Sequence, residues 1–478
     1  MSEASAPGGA GDLAIVLHSH MPYVEGFGTY PFGEEWLFDA VIRSHLPVLD
    51  VARDLTITVT PVLADQLEAD GVSERLAHFL AGFRLGAARR DIESADPDHV
   101  PAARAEVGRY EKSTALLEAA GGDPLAAFDS ARNRNVSLIP SGATHAVLPL
   151  LATRAGLDIQ IDAGLASHRR RFGSSSGFWL PECAYRPGLE DDLARHRIDW
   201  FCVYQSQSEV GDECLAPVIT RSGTLAFTID WTAVSWLWDM AGYPSWKGYL
   251  DFHRLSMNGV RIFRIDGGPY DPDAALQRAR EQAREFLDAV SGRLRSYRDR
   301  TGQRGLVTFA IDTELLGHWW SEGPLWLESV IDEAESRGVR LLTLDQAAAE
   351  HRDFAREVPL RASTWGEDKD FRTWDSPAVA DLAWATRSLE LSVAESVGRL
   401  PRDVALRAVR EMLMVQSSDW AFLDQRGEAG DYPFDRATGH AENALEAIQS
   451  GLTNNGVPIH PRLRNLAPDL RLTPFLTP

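Results

Sequence analysis

Short apolar runs recur through the first 345 residues, and polar side chains follow each run directly. The first run, Leu13–Leu17, reads LAIVL and leads into His18. Similar runs precede His145, Glu182 and Asp312, and another begins near residue 339. Runs of this length, rich in β-branched residues, are typical of strands buried on both faces. We therefore predict at least five such strands before residue 345.

Helical stretches separate these runs. In residues 274–300, for example, charged and apolar residues alternate at helical spacing. Strands that alternate with helices indicate an α/β fold with a parallel sheet or barrel. The number of strands favours a barrel, in an incomplete form, over a doubly wound sheet. In such folds the active site lies at the carboxyl ends of the strands.

The domain organisation follows from changes in this pattern. We predict a flexible N-terminus over residues 1–12, a catalytic barrel over 13–354 and a helical insertion at about 62–130. Beyond 355 the chain reads as long amphipathic helices with proline near the first turn, which predicts an all-helical C-terminal domain over 355–478. The Pro-rich tail from Asn454 is expected to be irregular.

Composition excludes several classes of protein. The 478 residues carry a formal net charge of -21, so the chain has no electrostatic footprint for nucleic acid or for an anionic membrane. No run approaches the roughly 18 apolar residues that span a bilayer, and the polar start lacks the features of a signal peptide. We therefore expect a cytoplasmic protein. The three cysteines form no CxxC pair, which argues against a disulfide framework or a zinc knuckle.

Two strand-end carboxylates are the strongest candidates for chemistry. Glu182 lies in GFWLPECAYRPGLE and Asp312 in TFAIDTELLGHWWSEG, and each ends an apolar run. Two such carboxyls suit retaining cleavage of a glycoside, in which one attacks the anomeric carbon and the other protonates the leaving oxygen. A structural salt bridge is an equally open interpretation of Glu182 at this point, because a buried carboxylate needs either a charged partner or a functional role.

Three histidines and many tryptophans add to the picture. His18, His20 and His145 all lie at predicted strand ends, where they could bind substrate hydroxyls or, with an aspartate, ligate zinc. Fourteen tryptophans occur in the chain, several in polar contexts such as GHWWSEG and SSDWAF. An indole whose N–H needs a partner suits a sugar-binding cleft better than an apolar core.

Five motifs in order carry a family resemblance. LHSHMPYVEGFGTYPFGEEWLFDAV, GATHAVLPLL, WLPECAY, IDTELLGHWW and SSDWAF together resemble glycoside hydrolase family 57, and within it the glycogen branching enzyme group. The resemblance covers about residues 13 to 440. It implies an incomplete (β/α)7-type barrel with a helical C-terminal domain and an α-1,4-glucan as substrate. It also implies that Glu182 is the nucleophile and Asp312 the acid/base. Because imidazole N–H groups can bind a neutral sugar and two carboxylates suffice for the chemistry, we expect no cofactor or metal.

The same resemblance implies a set of substrate-binding residues. His18 matches a histidine at the subsite of the cleaved glucosyl unit, and His20 and His145 line that pocket. Trp365 and Trp374 match substrate-stacking tryptophans that come from the C-terminal domain. The remaining expected contacts are Asp419, a sugar-binding carboxylate in the last motif, and Trp238, Gly242 and His318.

The sequence also departs from the family pattern. The branching enzymes carry an arginine shortly before the tryptophan that corresponds to Trp238. This chain lacks that arginine, and Ile229 occupies its place. The Gly-Tyr-Pro segment continues with Ser245 instead of glycine, and the stretch Gln205–Ala216 is short and lacks the loop tyrosine. These departures predict weak branching accompanied by hydrolysis, because water would be excluded less well from the glycosyl-enzyme.

Four functions therefore remain to be separated. Branching of an α-1,4-glucan is the leading interpretation, and a 4-α-glucanotransferase or amylase-type hydrolase is the alternative within the family. The products distinguish them, because only branching adds α-1,6 linkages. A metal-dependent carbohydrate deacetylase would be revealed by metal analysis. A glucan-binding protein without catalysis would be revealed by a turnover assay on amylose.

Overall fold

The fold is known from a computed structural model that describes residues 9–24, 28, 32–205, 215–427, 429–453 and 465–476. In that part of the chain the strands are β1 Gly11–Ser19, β2 Leu55–Val59, β3 Val136–Ile139, β4 Gly177–Phe178, β5 Trp200–Val203, β6 Val218–Ile219, β7 Leu225–Thr228, β8 Leu306–Asp312 and β9 Val339–Leu341. The α-helices are Glu34–Ala40, Leu46–Val51, Pro61–Leu67, Val72–His78, Gly86–Ser94, Val100–Ala119, Pro124–Ala131, Arg154–Phe172, Leu189–Arg195, Trp231–Trp238, Pro272–Thr301, Gly323–Glu333, Leu344–Glu350, Ala380–Ser396, Arg402–Val415, Ser418–Arg426, Tyr432–Leu452 and Thr473–Leu476.

Seven parallel strands close into a barrel made of two sheets. One sheet has the order β3-β2-β1-β8, and the other contains β4-β5-β7 with the short antiparallel β6 at its edge. Single parallel bridges join the two sheets, Ser141 to Trp179 at one seam and Ile229 to Thr308 at the other. The predicted α/β barrel is therefore confirmed. It is incomplete because at each seam the two sheets are joined by a single bridge instead of a full ladder of hydrogen bonds.

The long barrel strands are buried, and most of the side chains on them are apolar. All nine residues of β1 are buried, and so are the five of β2. The long helix Pro272–Thr301 packs its apolar face on this core through Phe286, Leu287 and Val290, each with 0% exposure. This two-sided burial explains why the strands read as continuous apolar runs.

The first strand begins earlier than the sequence indicates. It starts at Gly11, and Asp12 is fully buried, where it binds His351 at 2.8 Å and also pairs with Arg304 and Arg340. The last residues of the predicted flexible N-terminus therefore belong to the barrel. A buried carboxylate needs such partners to offset the cost of desolvation.

Helices occupy the connection between β2 and β3, and the helices that follow β9 dock on the barrel. Five α-helices lie between residues 61 and 131, in the region where the sequence predicts a helical insertion. After Leu341 the described elements are all helical, and the helices Arg402–Val415 and Tyr432–Leu452 share an apolar cluster with Ile159 and Ala163 of the barrel helix Arg154–Phe172. The region beyond residue 355, which the sequence predicts to lack strands, thus consists of helices that share an apolar cluster with a barrel helix.

No helix among the described residues is long and apolar enough to cross a membrane.

Candidate active site

Polar side chains converge at the carboxyl ends of the barrel strands. His18 lies near the end of β1 and is in register with Asp312, the last residue of β8. His145 follows β3, and Glu182 follows β4. Because parallel strands end at the same rim, residues separated by up to 294 positions in sequence meet there. This rim is the position where barrel enzymes carry their chemistry.

Glu182 lies on a sharp turn directly after β4. Its backbone φ is 60°, and that of Cys183 is 48°, so two consecutive residues with side chains adopt the left-handed conformation. Each such residue costs on the order of 1–3 kcal/mol and persists only where the surrounding contacts enforce it. The turn holds the carboxylate at the rim, where its side chain keeps 13% exposure.

The Glu182 carboxylate accepts two short hydrogen bonds from the C-terminal helical region. Ser418 Oγ donates to its Oε1 at 2.7 Å, and the Trp365 indole N–H donates to its Oε2 at 2.9 Å. His145 Nδ1 lies 3.5 Å from Oε1. Burial raises the pKa of Glu182, and the Ser418 and Trp365 hydrogen bonds oppose that rise because they stabilise the ionised form.

Asp312 has a different environment at the end of β8. Among the described residues no side chain or backbone group donates a hydrogen bond to its carboxyl. Burial raises the pKa of Asp312 well above its ordinary value, and the nearby charges of Glu314 and Glu182 raise it further. A carboxyl in this environment tends to keep its proton, which is the state that a general acid requires.

The three predicted histidines form a stack beside the carboxylates. The ring of His145 lies 4.0 Å from that of His20 and 4.9 Å from that of His18, measured between centroids. Trp179 closes the stack on His18 at 4.7 Å. Burial lowers the pKa of His18 and His145 well below the ordinary value, and the charge of His20 adds to this effect. Both rings are therefore neutral hydrogen-bonding groups near pH 7.

His20 differs from the other two histidines of the stack in the direction of its pKa shift. Burial lowers its pKa, but Asp419, Glu314 and Glu182 outweigh that effect, and the net shift is upward. Its Nε2 lies 3.0 Å from Asp419 Oδ1, and its Nδ1 lies 3.1 Å from Thr60 Oγ1. Asp419 is thus brought to the site from the C-terminal region, as the resemblance implies.

A metal is the main rival occupant of this cluster. His20, His145 and Asp419 each offer an atom, and these atoms lie within 4.8 Å of one another. The imidazole nitrogens of both histidines already have partners, however: His145 Nε2 lies 2.9 Å from His18 Nε2, and its Nδ1 lies 2.9 Å from Ser418 Oγ. A zinc ion would have to replace these hydrogen bonds, so the geometry suits a polar network better than a metal centre.

The two predicted stacking tryptophans differ in position. Trp365 is half-buried beside Glu182, with its ring edge-on to Trp179 at 5.1 Å. Trp374 retains only 4% exposure, packs against Val147 and Ala184, and donates its indole N–H to the Ser418 carbonyl at 3.2 Å. Its ring therefore supports the backbone of Ser418 and presents little surface on which a sugar could stack.

Three other predicted contacts lie outside the carboxylate cluster. Trp238 is the last residue of its helix and is 51% exposed. Gly242 is buried, and a Cβ there would meet the Leu237 carbonyl oxygen at 2.6 Å, so its glycine serves a close approach of the backbone. His318 is buried against Phe252 and Trp319, and within the described chain it has no contact with either carboxylate. These residues were predicted from motifs that reflect local packing as well as substrate contact.

Sequence reasoning missed the most direct partner of Glu182. Ser418 bonds both Glu182 and His145, and its backbone N–H donates to the His145 carbonyl at 3.2 Å. Ser418 belongs to the SSDWAF motif, in which the resemblance implies a role only for Asp419. Thr60 and Glu314 were also not predicted, because each acts through His20. The Thr60 hydroxyl contacts the His20 ring, and the His20 backbone N–H donates to Glu314 at 3.1 Å.

The departures from the family pattern have unequal structural outcomes. Ile229 is buried in the main core and forms the bridge to Thr308 at a barrel seam. Its apolar side chain can offer no hydrogen bond to a substrate. The loop stretch predicted to be short and without tyrosine falls largely at residues 206–214, which lie outside the described residues.

The sequence matches known protein families over most of its length. Residues 125–359 match Glycosyl hydrolase family 57, and residues 384–467 match the C-terminal region of 1,4-α-glucan branching enzymes. A probable 1,4-α-glucan branching enzyme of Mycobacterium tuberculosis is 33% identical, with 91% of each chain covered. A 1,4-α-glucan branching enzyme of Thermococcus kodakarensis is 30% identical over 91% of this chain and 72% of that protein.

Solved structures agree with these matches. The family 57 branching enzyme of Pyrococcus horikoshii superposes with a TM-score of 0.90 at 28% identity, covering 98% of this chain and 97% of that chain. That of Thermococcus kodakaraensis, in complex with glucose, gives 0.91 at 28% identity and covers 98% and 96%. An α-amylase of Thermotoga maritima shares the fold, with a TM-score of 0.85 at 23% identity over 97% and 99% of the two chains. This chain therefore belongs to glycosyl hydrolase family 57, in the group of its branching enzymes.

Proposed function

We propose that this chain is a 1,4-α-glucan branching enzyme in which Glu182 is the nucleophile and Asp312 the general acid/base. One observation carries the assignment of roles: two strand-end carboxyls lie in environments that separate their protonation states. Glu182 accepts two hydrogen bonds that favour its ionised form, whereas Asp312 accepts none within the described chain and has like charges nearby. Paired carboxyls with different pKa values are the usual requirement of retaining glycoside cleavage.

The reaction uses the two groups in turn. Glu182 attacks the anomeric carbon of an α-1,4-linked glucosyl unit, and the bond from that carbon to the leaving O4 breaks while Asp312 gives its proton to O4. The 6-hydroxyl of an acceptor glucan then attacks the same carbon and returns a proton to Asp312, and Glu182 is released. One α-1,4 bond is lost and one α-1,6 bond is formed, and the configuration at the anomeric carbon is retained.

The histidine stack is suited to bind the sugar that reacts. His18 and His145 have pKa values well below the ordinary one, whereas that of His20 is raised, and imidazole nitrogens can both accept and donate hydrogen bonds to hydroxyl groups. Asp419 adds a carboxylate acceptor on the same side. The partner that we propose is accordingly an α-1,4-glucan, a neutral polymer that an acidic protein does not repel.

Product analysis on amylose tests this proposal. The wild-type enzyme is incubated with amylose, the products are debranched with an isoamylase, and the chain-length distribution is compared with that of an untreated digest. New short chains that appear only after debranching support branching. Release of reducing ends without α-1,6 bonds would contradict branching and favour a hydrolase, and a chain inert on amylose would favour a glucan-binding protein. The ratio of reducing ends to α-1,6 bonds also tests the predicted weak branching.

A further inference from the structure

A single lysine lies beside the turn that carries Glu182. Lysine occurs in the chain only at positions 112, 247 and 369, although Lys and Arg together number 48. The Nζ atom of Lys369 lies 3.3 Å from the centre of the Trp231 ring and 5.3 Å from that of Tyr204. It also donates a hydrogen bond to the Trp365 carbonyl at 2.9 Å. Lys369 therefore connects two aromatic side chains of the barrel to the segment that follows residue 360.

The ammonium is held by aromatic faces and one carbonyl. Within the described chain no carboxylate lies at ion-pair distance from Lys369, and burial lowers its pKa to about 8, although the charge of Asp239 opposes that shift. A compact ammonium fits closely over an indole face, where cation–π attraction strengthens as water is excluded. The position is thus specific for a cation that is small enough to approach the Trp231 ring.

The segment that Lys369 holds also carries a hydrogen-bond donor to Glu182. The backbone N–H of Trp365 donates to the Glu182 carbonyl at 3.0 Å, and its indole N–H donates to the Glu182 carboxylate at 2.9 Å. The backbone N–H of Thr364 donates to the Lys369 carbonyl at 3.1 Å. Lys369 thus binds this segment at two points, through its carbonyl at Thr364 and through its ammonium at Trp365.

The backbone of the turn would not adopt this shape without such contacts. Asp368 has φ of 53° and Lys369 has φ of 61°, so two consecutive residues with side chains lie in the left-handed region. Conformations of this kind persist where surrounding contacts over-determine them, and they are common at functional sites. The hydrogen bond from the Lys369 ammonium to the Trp365 carbonyl and the one from the Thr364 N–H to the Lys369 carbonyl both keep this turn folded against Trp365.

We propose that Lys369 is a positioning residue for Glu182: its ammonium ties the Trp365 segment to Trp231 and Tyr204, so that the Trp365 indole N–H meets the Glu182 carboxylate. The importance of this contact for catalysis rests on the proposed function, in which Glu182 is the nucleophile. The geometric part of the inference, that the lysine sets the indole, is independent of the reaction.

Kinetic variants test the catalytic consequence. Lys369→Met removes the charge at similar length, and we expect kcat on amylose to fall about tenfold or more while KM changes less than about twofold, because the donor to the nucleophile is misplaced and substrate contacts remain. Lys369→Arg keeps the charge and should retain more activity than the Met variant. Lys112→Met, on an exposed helix distant in sequence from the cleft, serves as the matched control and should behave as wild type.

A double-mutant cycle separates positioning from direct substrate binding. In a Trp365→Phe background, which removes the indole N–H, Lys369→Met should lower kcat by much less than it does in the wild type, because the two changes remove the same interaction. If the two effects on kcat multiply, or if Lys369→Met acts mainly on KM, then the lysine contacts substrate itself and the proposal is wrong.

A spectroscopic measurement tests the geometry without any activity. The indole ¹⁵N–¹H resonance of Trp365, identified by its absence in Trp365→Phe, reports the hydrogen bond to Glu182. It should shift in Lys369→Met and stay in place in Lys112→Met; an unmoved resonance in a folded Lys369 variant overturns the inference. The same resonance is read in Lys369→Arg, so the test survives if the Met variant does not fold. If the wild-type protein forms no α-1,6 bonds, the proposed function fails while this measurement still decides the role of Lys369.

Discussion

The ends of β4 and β8 present the same functional group in opposite settings. Both Glu182 and Asp312 are largely shielded from water at the barrel rim, and burial raises the pKa of each. At β4 the C-terminal helical region supplies two donors, Ser418 and Trp365, that stabilise the carboxylate. At β8 the described chain supplies no donor to the Asp312 carboxyl, and its electrostatic neighbours include Glu314.

This contrast shows that the protonation states are determined from outside the strands. The strand-end position provides burial, which acts on both carboxyls in the same direction. The difference between them comes from the donors Ser418 and Trp365, which reach Glu182 from another part of the chain, and from the charge of Glu314, two residues after Asp312. The barrel rim therefore supplies two equivalent positions, and the docked helices make them chemically different.

Removing either carboxylate should have the largest effect and should also distinguish the two positions. We expect Glu182→Gln to abolish turnover of amylose, and Asp312→Asn to lower kcat by about 10²–10⁴-fold, the usual contribution of a general acid. With an α-maltosyl fluoride donor, whose leaving group needs no proton, Asp312→Asn should regain formation of the glycosyl-enzyme. Glu182→Gln should not, because it lacks the nucleophile. Rescue of the Glu182 variant by the fluoride, measured as fluoride release, would reverse the assignment.

The hydrogen bonds at β4 can be weakened separately from those at β8. Activity requires Glu182 ionised, so the acid limb of the pH profile follows its pKa, and Ser418→Ala should raise that pKa by removing a stabilising donor. A hydrogen bond to a charged group contributes about 1.5–3 kcal/mol, which corresponds to a shift of about 1–2 pH units. The acid limb of kcat/KM should therefore move to higher pH.

The matched change at β8 should move the other limb. Asp312 must be protonated to act as the acid, and Glu314 is among the charges that raise its pKa. Glu314→Gln should lower that pKa and move the alkaline limb to lower pH, with little change on the acid side. Because the two carboxyls titrate as a coupled pair, the limbs give macroscopic values. Movement of the same limb in both variants would contradict the separation of the two sites.

Loss of the Trp365 side chain should have a smaller effect than loss of either carboxylate, and it should act on both kcat and KM. Trp365→Ala removes an indole face beside the site as well as the N–H, and stacking of a sugar on such a face contributes on the order of 1–3 kcal/mol. KM for maltooligosaccharides should rise several-fold or more relative to Trp365→Phe. Trp384, which is 67% exposed on the helix Ala380–Ser396, is the control. An equal rise in KM for Trp384→Ala would mean that surface tryptophans in general bind the glucan.

Removal of metals should have the smallest effect. The imidazole nitrogens of His20 and His145 are engaged in hydrogen bonds, and two carboxyls are sufficient for the proposed chemistry. We expect EDTA followed by gel filtration to leave kcat and KM unchanged. Loss of activity that zinc restores would instead favour the deacetylase interpretation and identify His20, His145 and Asp419 as ligands.

Local pattern in the sequence determined most of the barrel. Strands β1 and β8 are long and mainly apolar runs, and both were predicted, with His18 and Asp312 near their carboxyl ends. Strand β4 has only two residues and β6 also two, so periodicity alone could not place them. The apolar run before Glu182 predicted a strand there, although only Gly177 and Phe178 of that run form β4.

Tertiary structure alone decided which side chains meet. Ser418 and Trp365 lie 236 and 183 residues after Glu182, and no local pattern indicates that they donate to its carboxylate. No local pattern indicates the position of Trp374 either. The sequence predicts that it stacks on a sugar, but its indole N–H donates to the Ser418 carbonyl. The sequence by itself determined where strands end and which polar groups stand there, because burial and strand formation depend on neighbouring residues. Only closure of the barrel and docking of the helices decided how the Glu182 carboxylate is stabilised, since its two donors come from distant parts of the chain, whereas Glu314 lies two residues from Asp312.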